Sequence, residues 1–197
     1  MHLIADNHTT TGLYYENENH HSPASSRYNL DFSTLTPILP LTPSSPTQTA
    51  NMPHWLIYHP PSAYQDVESK DTLAKAITAF YTGVGMPAFY VVVQFIQVPL
   101  ASTYVGAQTR SAGDKPFVRL VATHIAHNYP DDDAVLRAAG ETFNKLLTAQ
   151  IKPMGYDWEF HIAETDRRLW KVNEFTPPER HTDGEALWVK ENKAVPY

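Results

Sequence analysis

The sequence predicts an α+β fold: a four-stranded mixed sheet with two helices on one face. Three observations lead there. Between residues 54 and 163 the chain reads strand, helix, strand, and then repeats that order in a second β-α-β unit. Each helical stretch carries one apolar stripe, so both can cover the same face of a sheet and leave the other to be buried elsewhere. Proline and glycine fall where each element should end.

The first strand is His54 to His59 (HWLIYH), a short apolar run closed by Pro60-Pro61. A helix follows from about Asp66 to Gly83, with Leu73, Ile77, Phe80 and Val84 at helical spacing and Gly83 and Gly85 as stops. Phe89 to Val98 (FYVVVQFIQV), rich in β-branched and aromatic residues and closed by Pro99, is the second strand. Thr103 to Ala107 reads as a short strand or hairpin arm before the polar turn 110–115. Phe117 to Ile125 (FVRLVATHI) opens the second unit. Asp131, Asp132 and Asp133 place negative charge at the start of the next helix, where the dipole favours it. Leu136, Ala139, Phe143, Leu147 and Ile151 line one face of that helix, Pro153 and Gly155 end it, and Asp157 to Ala163 (DWEFHIA) is the answering strand. Two successive β-α-β units imply right-handed crossovers and parallel strand pairs. The tail 164–197 sets Trp170, Phe175 and Trp188 between prolines, which predicts arms packed on a neighbouring subunit.

Residues 1–51 differ in kind. Asn, Ser, Thr and Pro fill 24 of the 51 positions, and the stretch from Leu35 to Pro46 is punctuated by proline. Such a segment cannot bury enough apolar surface to offset its ordering entropy, so a disordered leader is expected. The alternative is a mis-assigned start, with translation beginning at Met52. The leader lacks the charged start and apolar core of a secretory signal, and Arg27 is its one basic residue besides histidine. The folded domain is therefore placed at 52–197, with a C-terminal arm.

Composition removes several function classes. The net charge is -6 and the 15 Lys and Arg are scattered, so there is no footprint for nucleic acid. No apolar run is long enough to cross a bilayer. Cysteine is absent, which removes disulfides, thiolate nucleophiles and cysteine zinc sites and fits a cytoplasmic, reducing setting.

A β-α-β repeat whose first strand opens with Met52-Pro53 resembles the tautomerase superfamily, in particular proteins similar to cis-3-chloroacrylic acid dehalogenase and fungal tautomerase-like proteins. Ala74 to Thr78 (AKAIT), Gln94 to Pro99 (QFIQVP), Phe117-Val118 and Asp157 to Asn173 (DWEFHIAETDRRLWKVN) carry the rest of the match. The resemblance covers 52 to about 190 and implies a homotrimer of subunits with two β-α-β units each. It further implies a site around an N-terminal proline and a small carboxylic-acid substrate, with no cofactor or metal required.

In that family the proline is the base of a keto-enol tautomerisation, or an acid while water adds to an unsaturated acid. A chain-terminal proline is a secondary amine. An α-amino group titrates near ~7.7–8.0, and burial moves that down toward working pH. A base poised there abstracts a proton beside a carbonyl efficiently. Linked to Met52, the same nitrogen is an amide with no useful basicity. Catalysis by Pro53 thus requires that residues 1–52 be absent.

By resemblance, the dehalogenase's first-helix histidine falls at Tyr81 and its arginine pair near His124 and His127 if one gap is allowed, otherwise at Thr123 and Ala126. Its tyrosine falls at Phe160 and its water-activating glutamate near Lys171 or Asn173. The hydrolytic set is largely lost, so dehalogenation or hydration is the weaker expectation. A catalytically inactive relative acting as a structural or interaction module is the other alternative to a tautomerase. Tyr81, His124 and His127 are candidates to orient the substrate, with a strand-end surface role the competing reading of the histidines. Arg119 is a basic candidate for an anionic substrate, and Asn173 a donor to a polarised carbonyl. A zinc site from His124, His127 and His161 would need a chain turn, because residues three apart on a strand face opposite sides.

Overall fold

The computed structural model describes residues 52–125 and 128–197. The leader expected to be disordered, and His127, lie outside the described residues. The main sheet has the order β2-β1-β5-β6. Its strands are β1 (Met52–His59), β2 (Val92–Gln97), β5 (Phe117–Ile125) and β6 (Asp157–Thr165). A small hairpin of β3 (Tyr104–Val105) and β4 (Gln108–Thr109) stands where a hairpin arm was expected. The helices are α1 (Val67–Gly83), α2 (Asp133–Ile151) and α3 (Asp183–Glu191). β1 runs parallel to β2 and β5 runs parallel to β6, while β1 and β5 meet antiparallel. Two β-α-β units thus join side by side into one mixed sheet.

Strict alternation builds the core. Pro53, Trp55, Ile57 and His59 are buried along β1, and Val118, Leu120, Ala122 and His124 along β5. The register pairs Trp55 with Ala122 and Ile57 with Leu120, so both sets project to one side. There they meet Leu73, Ala76, Ile77 and Tyr81 of α1 and Phe143, Leu146, Leu147 and Ile151 of α2. Each large apolar side chain so enclosed contributes about 1.5–3 kcal/mol of transfer free energy.

Local signals set the helix limits. Asp66 caps α1 by accepting from Ser69 N–H at 2.6 Å, a bond that holds its carboxyl below the usual range. Asp132 accepts from the N–H groups of Ala134 and Val135 at the start of α2. Gly155, at φ 71°, turns the chain from the short 3-10 segment after α2 toward β6, a conformation that glycine adopts at low cost. Pro116 stands just before β5, its carbonyl accepting from Asp157 N–H at 2.9 Å and so setting the start of β6 beside it.

Several expectations are corrected. Phe89 and Tyr90 belong to a 3-10 turn rather than to a strand, closed by Val91 N–H on the carbonyl of Ala88, and β2 begins at Val92. Val84 lies past the end of α1, and both it and Leu136 are largely exposed, because the burial stripes run through Tyr81 and Phe143 instead. The C-terminal arm packs on its own chain. Trp170 and Trp188 are buried with Tyr90 in a second cluster, with ring centroids 5.2 Å and 6.0 Å from that tyrosine. Trp188 Nε1 donates to Val195 O at 2.6 Å, so an aromatic with a polar handle satisfies both demands of burial within one subunit.

Replacing Trp188 by Ala is expected to cost about 3–5 kcal/mol in urea denaturation and to make the segment after α3 a preferred cleavage site in limited proteolysis.

Candidate active site

Pro53 is the second residue of β1 and is buried on the helix-facing side of the sheet. Its partner across the antiparallel seam is His124, whose own partner on the next strand is Glu164. Paired residues share a face, so Pro53, His124 and Glu164 form a row across β1, β5 and β6, each step about 4.5–5.5 Å.

A buried chain of hydrogen bonds reaches this row from the first unit. Trp55, two residues along β1 from Pro53, donates its Nε1–H to Tyr81 Oη at 3.2 Å, and Tyr81 Oη lies 2.8 Å from His124 Nε2. Trp55, Tyr81 and His124 are 0%, 2% and 2% exposed. Their rings pack around Phe143, at 5.9 Å from Trp55, 6.3 Å from Tyr81 and 5.4 Å from His124. Burial pushes the Tyr81 phenol far up, with the bond from Trp55 opposing, so it stays protonated.

Tyr129 and Glu164 close the far end of the row. The Tyr129 ring lies 5.8 Å from that of His124, and its backbone N–H donates to Glu164 Oε1 at 2.7 Å. Desolvation pushes the Tyr129 phenol up to about 12, and the nearby Glu164 charge adds to the shift. Both residues line a cleft between α2 and β6, walled by Leu136, Ala139, Gly140, Phe160 and Ile162. Beyond its own stretch of helix, no atom of the described residues lies within 4 Å of where a Cβ on Gly140 would stand, so this mid-helix glycine leaves the cleft open rather than serving a close contact.

Of the residues expected at the site, Pro53, Tyr81 and His124 are brought together. Arg119 is not with them: it projects to the opposite face of β5, where it pairs with Glu159 and approaches His161 Nδ1 at 3.4 Å. His161 therefore faces away from His124 as well. Asn173 is exposed in a tight turn between Val172 and Phe175, with φ 53°, a backbone conformation that asparagine tolerates. Trp55, Glu164 and Tyr129 were not singled out in the sequence. The alternation of β1 carries a signal for Trp55, since residues 53 and 55 must share a face. Glu164 becomes visible only once the β5–β6 register is known.

Ahead of Pro53, Met52 packs on the Tyr90, Trp170 and Trp188 cluster together with Ile125, its partner across the seam.

Sheet order, duplicated units and a proline at the start of the central strand together define a class. The chain belongs to the tautomerase superfamily, a group of isomerases and related enzymes: the family model described as "Putative oxalocrotonate tautomerase enzyme" matches residues 52–193. Two crystal structures are similar over nearly their whole length. One, described as a "probable enzyme" from the thermophilic fungus Aspergillus fumigatus, is 36% identical, with 75% of this chain covering 99% of that one at a TM-score of 0.66. The other, RhCC from Rhodococcus jostii RHA1, is 39% identical, with 73% of this chain covering 99% of that one at 0.64. N1, a member of the cis-3-chloroacrylic acid dehalogenase family, shares the fold at 10% identity and a TM-score of 0.53, with 71% and 97% of the two chains covered. No curated protein matches the chain.

Replacing Gly140 by Ala removes the entropic cost of a helical glycine and meets no neighbour. It is expected to stabilise the protein by about 0.5–1 kcal/mol, read as a raised denaturation midpoint.

Proposed function

We propose that the domain is a cofactor-independent tautomerase whose general base is the secondary amine of Pro53, in a protein that begins at that residue. The reaction is keto-enol isomerisation of a small 2-keto or unsaturated carboxylic acid. Proline nitrogen takes the proton from carbon, the electrons of the broken C–H bond form the enol or enolate, and the same proton returns to the partner atom. The observation that carries the reading is the place of Pro53. It is buried at the start of the central strand, in a row with His124 and Glu164. Burial disfavours the protonated amine and lowers its pKa toward neutrality. The family match beginning at Met52, one residue before it, supports the same starting point.

On this reading residues 1–51 are a leader or an upstream mis-assigned start, and residues 53–197 are the enzyme. No helix among the described residues is long and apolar enough to cross a membrane. We place the enzyme in the cytoplasm, in keeping with a chain that has no cysteine. A homotrimer accounts for the sheet face away from the helices. That face sets Leu56 and Tyr58 of β1 beside Ile96 of β2 and Val121 of β5, all of them left half-exposed by a single subunit.

One observation favours a second reading, a catalytically silent structural or interaction module. In the chain as written Pro53 is an amide, and the polar ends of Tyr81 and His124 are turned to each other rather than to a cleft. Water addition is the weaker alternative, since Glu164, the carboxylate in the row, is already engaged by Tyr129 N–H and Asn128 Nδ2.

Intact mass of natively expressed protein is expected to match a chain starting at Pro53; retention of residues 1–52 would reject proline catalysis. In an enol-ketonisation assay, Pro53→Ala is expected to lose about 10²–10⁴-fold in rate, and equal rates would sink the tautomerase reading. Sedimentation is expected to give a particle of three chains; a single-chain mass would exclude the trimer.

A further inference from the structure

The contacts joining Trp55, Tyr81 and His124 have a direction. An indole N–H can only donate, so Tyr81 Oη is the acceptor in its 3.2 Å contact with Trp55 Nε1. The phenolic hydrogen then needs an acceptor of its own, and at 2% exposure Tyr81 gets none from bulk water. His124 Nε2, at 2.8 Å, is the acceptor in place. Were Nε2 protonated, the ring would donate into the same phenol oxygen. That would strand the Tyr81 hydrogen, with the desolvation penalty of a buried hydrogen bond left unmade.

We propose that Trp55 and Tyr81 are positioning residues that lock His124 as the neutral imidazole with its proton on Nδ1, beside Pro53. Trp55 orients the phenol, the phenol occupies the Nε2 lone pair, and the ring is held in the row between proline and Glu164. Among the described residues, the groups facing His124 are Tyr81 from α1, Phe143 from α2, Tyr129 from the segment before α2, Pro53 from β1 and Glu164 from β6. Glu164 is the acidic group among them.

The catalytic meaning of the lock rests on the tautomerase reading. With Nε2 occupied, His124 is no base, which leaves proton abstraction to the proline amine. With the ring neutral, it is no counter-ion for a carboxylate, so a substrate anion must be met by groups outside this row. Neither Tyr81 nor His124 then touches substrate through the atoms that bind each other. The lock itself is a property of the folded chain and does not depend on turnover.

The test is a long-range proton–nitrogen correlation spectrum of the full-length chain labelled with ¹⁵N-histidine, with His124→Gln identifying the resonances. The expected wild-type result is a single neutral tautomer protonated at Nδ1, unchanged between about pH 6 and 8, where an ordinary histidine titrates. Tyr81→Phe, which keeps the ring and removes the hydroxyl, is expected to abolish the single tautomer. Trp55→Phe is expected to give a mixture. An Nε2-protonated ring in the wild type overturns the proposal, and so does a wild-type pattern surviving in Tyr81→Phe. Should a variant fail to fold, the wild-type tautomer decides alone. Because no reaction is measured, the proposal and proline catalysis can fail independently.

Discussion

The antiparallel seam between β1 and β5 is the constraint on which the rest of the molecule depends. Each β-α-β unit makes its own parallel pair, but a two-stranded sheet with one helix cannot close a core. The seam fuses the halves and fixes the register in which Pro53 faces His124 and Trp55 faces Ala122. A slip by one residue would send every buried side chain of β1 to the wrong face and separate the proline from the histidine. Register here is chemistry as well as packing, because it sets which side chains neighbour one nitrogen.

The two faces of the sheet divide the polar groups sharply. The helix side holds the buried Trp55, Tyr81 and His124, with Glu164 at the margin. The other side carries His54 hydrogen-bonded to Gln94, and Arg119 with Glu159 and His161. A residue type that suggests anion binding, such as Arg119, is thereby separated from the site by the thickness of the sheet. Its ion pair is half-exposed and worth little to stability, at most about 1 kcal/mol.

The sequence exposes the fold far more readily than the site. The apolar run of 54–59, the strand-like stretch of 117–125 and the helical stripes of 66–83 and 131–151 are local signals, and they lead to the strands, the helices and their one-sided layer. Misreadings arise where local chemistry is overridden. Phe89 and Tyr90 look like strand residues but leave the sheet to reach Trp170 and Trp188, far along the chain. Leu136 matches the periodicity yet is exposed beside Phe160 and Ile162 of β6, where it walls a cleft instead of filling a core. Site geometry depends on non-local register, which a single sequence does not carry. The family resemblance brought Tyr81 and His124 into one list, but only coordinates show that their polar ends face one another. Glu164, ordinary in a strand-end context, gains interest solely from standing opposite His124.

Duplication has an unequal outcome for the two halves. Pro116 stands at the head of the second unit much as Pro53 stands at the head of the first, yet peptide bonds flank it on both sides whatever happens upstream. A fused pair of units can expose one proline amine at most, so in any assembly such amines cannot outnumber the polypeptides, whatever the number of repeats. The second unit instead supplies His124 and Glu164 to the row beside Pro53, while its own proline stays an amide.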